Sequence, residues 1–278
     1  MTQVGMSVRT IAIEEASLPI KMFPEWERAG GEFPDFWKKK LSDFDGQRLE
    51  EMDRCGIELA ILSSTVPGPQ GEPNPELAEA MARDANDALA AVVAKRPDRF
   101  AAFATLSMHN VEAACREFER AVRELGMCGV LLNNFQVAGP YGQDAIYYDG
   151  REFDPFWDLA EQLGVPVYLH ALRLITTGVF DRYPGAQLIL GHNGEHIVYD
   201  MWRVTTSGQF SDHGLRHAIN EIGAHRIMFA IDYPYEENEA GTSWFASTPI
   251  TDGERAAIGR ENAIKLFNLA DRLRPAAR

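Results

Sequence analysis

The sequence predicts an α/β protein, a barrel of parallel strands with a metal at its mouth, and three observations predict it. Apolar strand-like runs alternate with amphipathic helical patterns along most of the 278 residues, which implies a parallel sheet, open or closed into a barrel. Three of those runs end in a side chain able to bind a metal: Glu14, His170 and Asp232. In a parallel barrel the C-terminal strand ends meet at one face, where sites are built.

The candidate strands, in order, are residues 9–14, 59–63, 100–106, 129–132, 165–170, 187–191 and 227–232. Asn74-Pro75 reads as an N-cap followed by proline at the first helical position. Ala114, Phe118, Ala121, Val122 and Leu125 recur at helical spacing. Thr251 and Glu254 have the spacing of a capping box. Residues 19–45 are irregular and aromatic (Phe23, Trp26, Phe33, Phe36, Trp37) and read as a cap over the mouth. One domain accommodates the whole chain. Two joins are abrupt. His170 runs straight into Ala171-Leu172-Arg173, and Thr205-Thr206-Ser207-Gly208 looks like the end of a strand whose beginning is absent.

Composition narrows the function. The net charge of −14 argues against nucleic acid or an anionic membrane as partner. A bound cation can still reverse the field inside a pocket, so an anionic small substrate is compatible. The three cysteines, Cys55, Cys115 and Cys128, form no CxxC pair and fit a reducing cytoplasm. No long apolar run or secretory signal is expected.

Asp232 is the central candidate. A carboxylate closing a buried run, followed by Tyr233-Pro234, is a poor choice for stability unless it is paired or bound to a metal. Glu14 and Asp232 are hard oxygen donors and His170 a borderline nitrogen donor, a set that suits Mg²⁺, Mn²⁺ or Zn²⁺. Taken singly, each has a blander reading: Glu14 paired with a lysine, His170 a hydrogen-bonded core residue, Asp232 a helix cap. Three coincident strand ends weigh against all three. In Gly191-His192-Asn193-Gly194-Glu195, His192 and Glu195 are three apart and share a face if a helix begins there. A carboxylate beside an imidazole orients it and raises its basicity. Arg203 reads as the end of that helix, as a dipole partner or a carboxylate clamp. Asn133, after the 129–132 strand, either lines the mouth or serves a turn.

In combination these stretches resemble the metal-dependent decarboxylase branch of the amidohydrolase superfamily, which acts on 2,3-dihydroxybenzoate, salicylate and γ-resorcylate. The matching segments include Ile13-Glu14-Glu15-Ala16, Tyr168-Leu169-His170, Gly191-His192-Asn193-Gly194-Glu195-His196 and Asp232-Tyr233-Pro234-Tyr235. The resemblance implies a distorted (β/α)₈ barrel and a divalent metal on Glu14, His170 and Asp232, with no organic cofactor. It implies His192 and Glu195 at the substrate, Arg203 near a subunit interface, and Tyr235 against the substrate ring. Protonating the ring carbon needs a positioned acid, and Asp232 is the candidate; Phe33 of the cap and Asn133 are further candidate substrate contacts. It also implies a homodimer or homotetramer. Ala16 stands where many relatives place a metal-binding histidine, a pattern of the 2,3-dihydroxybenzoate and salicylate members. Relatives are several dozen residues longer, and the shortfall falls at the two abrupt joins. The expected activity is non-oxidative decarboxylation of an ortho-hydroxybenzoate. The alternatives are hydrolysis of a lactone or amide on the same barrel, and an inactive paralogue.

Overall fold

Parallel pairing runs from strand to strand in a computed structural model that describes residues 9–169, 179–191 and 203–273. His170, His192 and Glu195 lie outside the described residues. In chain order the strands are β1 (Thr10–Ser17), β2 (Ile57–Ser64), β3 (Phe100–Ala102), β4 (Val130–Leu131), β5 (Gln136–Ala138), β6 (Asp144–Ile146), β7 (Val167–Tyr168), β8 (Leu188–Leu190), β9 (Arg203–Thr205) and β10 (Ile227–Met228). β1, β2 and β3 form one parallel run, and β4, β7, β8, β9 and β10 form another.

Backbone hydrogen bonds join the two runs. Ala104 bridges Val130, with Ala104 N donating to Gly129 O at 2.9 Å and Leu131 N to Ala104 O at 2.9 Å. At the other seam Ile13 N donates to Phe229 O at 3.2 Å and Ala16 N to Tyr233 O at 2.7 Å. Among the described residues, eight parallel strands therefore close into a ring, with the β5–β6 hairpin outside it. Gly129 permits one tight passage, since a Cβ there would lie 2.5 Å from Pro166 O.

Side chains alternate across the wall, as they must in a small barrel. Ile11, Ile13, Leu59, Ile61, Ala101, Phe103, Tyr168, Ile189, Met228 and Ala230 form the interior cluster. Ala12, Ala60, Leu62, Ala102 and Ala104 face outward to the helices. Those helices are α1 (Phe23–Arg28), α2 (Asp35–Leu41), α3 (Gln47–Cys55), α4 (Pro75–Lys95), α5 (Val111–Arg123), α6 (Asp154–Leu163), α7 (Val179–Arg182), α8 (Asp212–Ile222), α9 (Asn238–Ser247), α10 (Asp252–Ala256) and α11 (Asn262–Phe267). Asn74 caps α4 by accepting from Leu77 N, and Thr251 and Glu254 make the reciprocal capping box of α10. α11 sends Ala263 and Phe267 into the interior cluster. None of the described helices is long and apolar enough to cross a membrane.

Residues 19–45 contribute α1 and α2, whose Phe23, Trp26 and Leu41 are buried with Leu18, Met81 and Ala85. Trp26 Nε1 donates to Thr65 O at 2.7 Å, fastening this segment to the end of β2.

Two expectations change. The first strand does not stop at Glu14: pairing with β2 resumes after an irregularity and continues to Ser17. Arg203 does not end a helix. It opens β9, opposite Ile189 of β8, because Val204 and Thr205 are buried between β8 and β10.

Candidate active site

The alternation in β1 makes a simple prediction that the backbone overturns. With Ile11 and Ile13 inside, a regular strand would send Glu15 inward and Glu14 outward. Instead the register slips between Ile13 and Glu15, and Glu14 adopts a left-handed φ of 74°. A bulge of this kind re-aims a side chain. It turns the Glu14 carboxylate into the barrel, where Tyr168 Oη donates to Glu14 Oε2. Thr205 Oγ1 reaches the same oxygen at 3.2 Å and Tyr168 Oη at 3.3 Å. Gly191 makes room, since a Cβ there would meet Tyr168 Oη at 2.6 Å and Glu14 Oε1 at 3.2 Å.

Asp232 repeats the pattern on the facing seam, with φ 77°. Left-handed backbone at non-glycine residues is costly and clusters at functional sites. The chain beyond β10 is held by Thr206, whose Oγ1 donates to Ala230 O at 2.8 Å and accepts from Ala230 N at 3.0 Å. After Asp232 it turns at once, with Tyr235 N and Glu236 N both donating to Asp232 O.

Glu14 and Asp232 line one cavity of about 530 Å³ at the C-terminal strand ends. Its walls are Ser63 and Ser64 at the end of β2 with Thr65, the loop through Val66, Pro67, Gln70 and Gly71, and Leu131 at the end of β4 with residues 132–135, together with Ala16, Tyr168 and Tyr235. The size suits a small aromatic ligand. Gln136 fixes the loop: its buried Nε2 donates to Pro69 O, Gln70 O and Glu72 O, and its Oε1 accepts from Met108 N. The Tyr235 ring packs at a tilt against Trp37, centroids 5.0 Å apart, and its hydroxyl bonds Thr65 Oγ1. Asn133 Nδ2 donates to Pro67 O at 2.8 Å.

Of the residues singled out in the sequence, Glu14, Asp232, Tyr235 and Asn133 meet at this cavity. Two do not. Phe33 is not in its lining; the ring packs edge-on against Phe23 at 5.4 Å, where it completes the apolar cluster of the cap. Arg203 lines a separate hollow with Gly164, Gln187, Arg226 and Lys265. Those residues precede or flank the N-terminal strand ends, so within this chain the arginine is at the opposite end of the barrel. Burial, then neighbouring Arg226, lowers its pKa.

The electrostatic shifts fall on two neighbours of these carboxylates, Tyr168 and Glu15. Burial raises the Tyr168 hydroxyl well above its ordinary pKa, and the Glu14 carboxylate beside it adds to the shift. The tyrosine therefore stays a donor to Glu14. Burial also pushes the Glu15 carboxyl up to about 8, against the pull of the Ile231 N–H and the Arg48 guanidinium. Among the described residues no trio of His, Cys, Asp and Glu converges. Glu14 and Asp232 nonetheless supply two hard oxygen donors on one cavity. The third expected ligand, His170, would follow directly on Leu169. This donor chemistry fits a divalent cation.

Sequence reasoning placed Tyr168 only within the 165–170 strand; its contact with Glu14 gives it a role. Replacing it by Phe removes one hydrogen bond to a charged acceptor, about 1.5–3 kcal/mol. The expected result of Tyr168→Phe is a loss of about tenfold in kcat and a Tm lower by a few degrees, read by steady-state kinetics and a thermal melt. Unchanged kinetics would mean that the tyrosine only fills space.

The amidohydrolase family model Amidohydro_2 matches residues 33–269. A γ-resorcylate decarboxylase of Rhizobium sp. (strain MTP-10005) is 38% identical over 299 aligned positions, covering 84% of this chain and 91% of that protein. That share of 278 residues is about 234, so about 65 of the 299 positions face no residue here. A crystal structure of 2,6-dihydroxybenzoate decarboxylase complexed with 2,6-dihydroxybenzoate superposes with a TM-score of 0.85 at 34% identity, covering 94% of this chain and 99% of that one. A dihydroxybenzoic acid decarboxylase from Polaromonas sp. JS666, with bound manganese and 2-nitroresorcinol, gives 0.86 at 34% identity over 95% and 99%.

Proposed function

Since the chain belongs to the amidohydrolase family, we propose that it is a metal-dependent carboxy-lyase that removes CO₂ from an ortho-hydroxybenzoate without oxidation. The observation that carries the proposal is the pair of left-handed carboxylate residues, Glu14 and Asp232, aimed into one aromatic-sized cavity. Manganese in the Polaromonas structure supports a divalent metal here. Glu14 and Asp232 would hold it, with His170 as the third protein ligand.

When bound, a divalent cation supplies Lewis-acid attraction for the substrate carboxylate and its ortho oxygen. The remaining work belongs to side chains. Leu131, Leu132 and Val66 shield the ring from water, and Tyr235 stands at the rim. Asp232 passes a proton to the ring carbon that bears the carboxylate. The bond from that carbon to the carboxyl group then breaks, and its electron pair restores the aromatic ring as CO₂ leaves. Solvent at the mouth returns the proton to Asp232. The ortho hydroxyl provides the electron push, so no organic cofactor enters. His192, oriented by Glu195, would steady the phenolic oxygen.

Two observations bear on the ring. Ala16 lines the cavity where a histidine stands in many relatives, which supports a 2,3-dihydroxybenzoate or salicylate type. Identity of 34–38% to proteins acting on γ-resorcylate supports the 2,6-dihydroxy acid as the second reading. Chromatography after incubation of each acid with the manganese-supplemented enzyme separates them. Catechol or phenol is the expected product, resorcinol would transfer the assignment to the second reading, and no product from any acid would remove the proposal. A closed homodimer or homotetramer is the assembly proposed with it.

A further inference from the structure

Glu15 is buried beside the site but faces away from the cavity, and the mechanism makes no use of it. Its two oxygens accept different backbone donors: Ile231 N to Oε1 at 3.1 Å and Tyr233 N to Oε2 at 3.3 Å. Those residues flank Asp232. One carboxylate thus grips the peptides on both sides of a residue held at φ 77°. The same bulge that turns Glu14 inward turns Glu15 outward onto the neighbouring seam. Ala16 N completes the clamp by donating to Tyr233 O at 2.7 Å. Behind it stands Arg48, whose Nη2 donates to Ala16 O at 2.9 Å and whose guanidinium lies 4.6 Å from the Tyr233 ring centroid.

We propose that Glu15 is a positioning residue. By bridging the Ile231 and Tyr233 amides it imposes the left-handed conformation that aims the Asp232 carboxylate at the metal and the substrate. The inference rests on the reading of Asp232 given above. Left-handed backbone at an aspartate is disfavoured without a compensating contact. Two donors taken by one rigid planar acceptor supply that contact on both sides of the residue. The bulge then couples the two carboxylates: one backbone irregularity sets Glu14 directly and Asp232 through Glu15.

The test is Glu15→Gln. The amide keeps the volume and one acceptor oxygen, but its nitrogen cannot accept the second N–H. Three quantities are read: Mn²⁺ affinity by electron paramagnetic resonance titration, kcat and KM at saturating Mn²⁺, and φ at residue 232 in a crystal structure. The expected result is Mn²⁺ affinity weakened about tenfold or more and a comparable fall in kcat. KM stays within about threefold, and φ at Asp232 relaxes from its left-handed value. Phe118→Leu, on the buried face of α5, is the control for plain destabilisation. It should lower Tm and leave Mn²⁺ affinity alone.

A Glu15→Gln protein with lower Tm but wild-type Mn²⁺ affinity and kcat would overturn the positioning role and leave the decarboxylase reading standing. If the unmodified protein neither binds Mn²⁺ nor turns over any acid, that reading fails instead. The crystal structure of the variant then decides the matter, and an Asp232 backbone still near its original φ would refute the clamp.

Discussion

Asp232→Asn is expected to abolish turnover, with a loss of at least about 10²–10⁴-fold, the range for removing a general acid or base. Asparagine can neither pass the proton nor offer an anionic oxygen. The fold should persist for a local reason. Asn tolerates left-handed backbone about as well as Asp does, so φ 77° imposes no new strain. The backbone acceptor for Tyr235 N and Glu236 N is also unchanged. Circular dichroism melts within a few degrees of the unmodified protein would establish the intact fold, and kinetics at saturating metal would give the loss. A well-folded Asp232→Asn enzyme with normal kcat would remove Asp232 from the chemistry.

The largest stability effect is expected at Arg48, a fully buried arginine in a helix. Its Nε donates to Asp43 O at 2.9 Å, and Nη2 to Ala16 O at 2.9 Å and Lys40 O at 3.1 Å. Its charge also acts on buried Glu15. Arg48→Met retains most of the volume but leaves those carbonyls without this donor and Glu15 without its neighbouring cation. Each buried carbonyl left without its donor costs about 1–3 kcal/mol, so the loss should reach about 3 kcal/mol or more. Urea denaturation should show a loss of that size, read as a lower midpoint at unchanged slope. A change below about 1 kcal/mol, within the range of ordinary surface substitutions, would mean that the guanidinium is solvated in a way its burial denies.

The barrel was legible because apolar runs alternating with amphipathic helical stretches, and carboxylates at strand ends, are local signals. Which face of each run turns inward, as Ile11, Ile13, Leu59 and Ile61 do, comes from the structure, because Ala12, Ala60 and Leu62 between and beside them are apolar as well. Adjacent Glu14 and Glu15 were different. Which of two neighbouring carboxylates points inward depends on a bulge, and a bulge is set by pairing with β2, 48 positions away at Ala12 and Ala60 in the register. Arg203 misled for a related reason. An arginine after Trp202 reads as a helix end, yet pairing with Ile189 and burial of Val204 against Ile227 decide its conformation. Phe33 shows that an aromatic near a mouth cannot be told from one inside it by spacing alone. It turned toward Phe23 because α1 presents an apolar face there.

Proton delivery to the ring is the central claim, and deuterium tests it most directly. The manganese-supplemented protein would be incubated with salicylate, 2,3-dihydroxybenzoate and 2,6-dihydroxybenzoate in D₂O, and the products read by mass spectrometry and NMR. The account predicts that whichever acid is turned over yields CO₂ and a phenol with one deuterium at the carbon that carried the carboxylate, and that Asp232→Asn yields neither. A product without deuterium at that carbon, or equal product from Asp232→Asn, would contradict it.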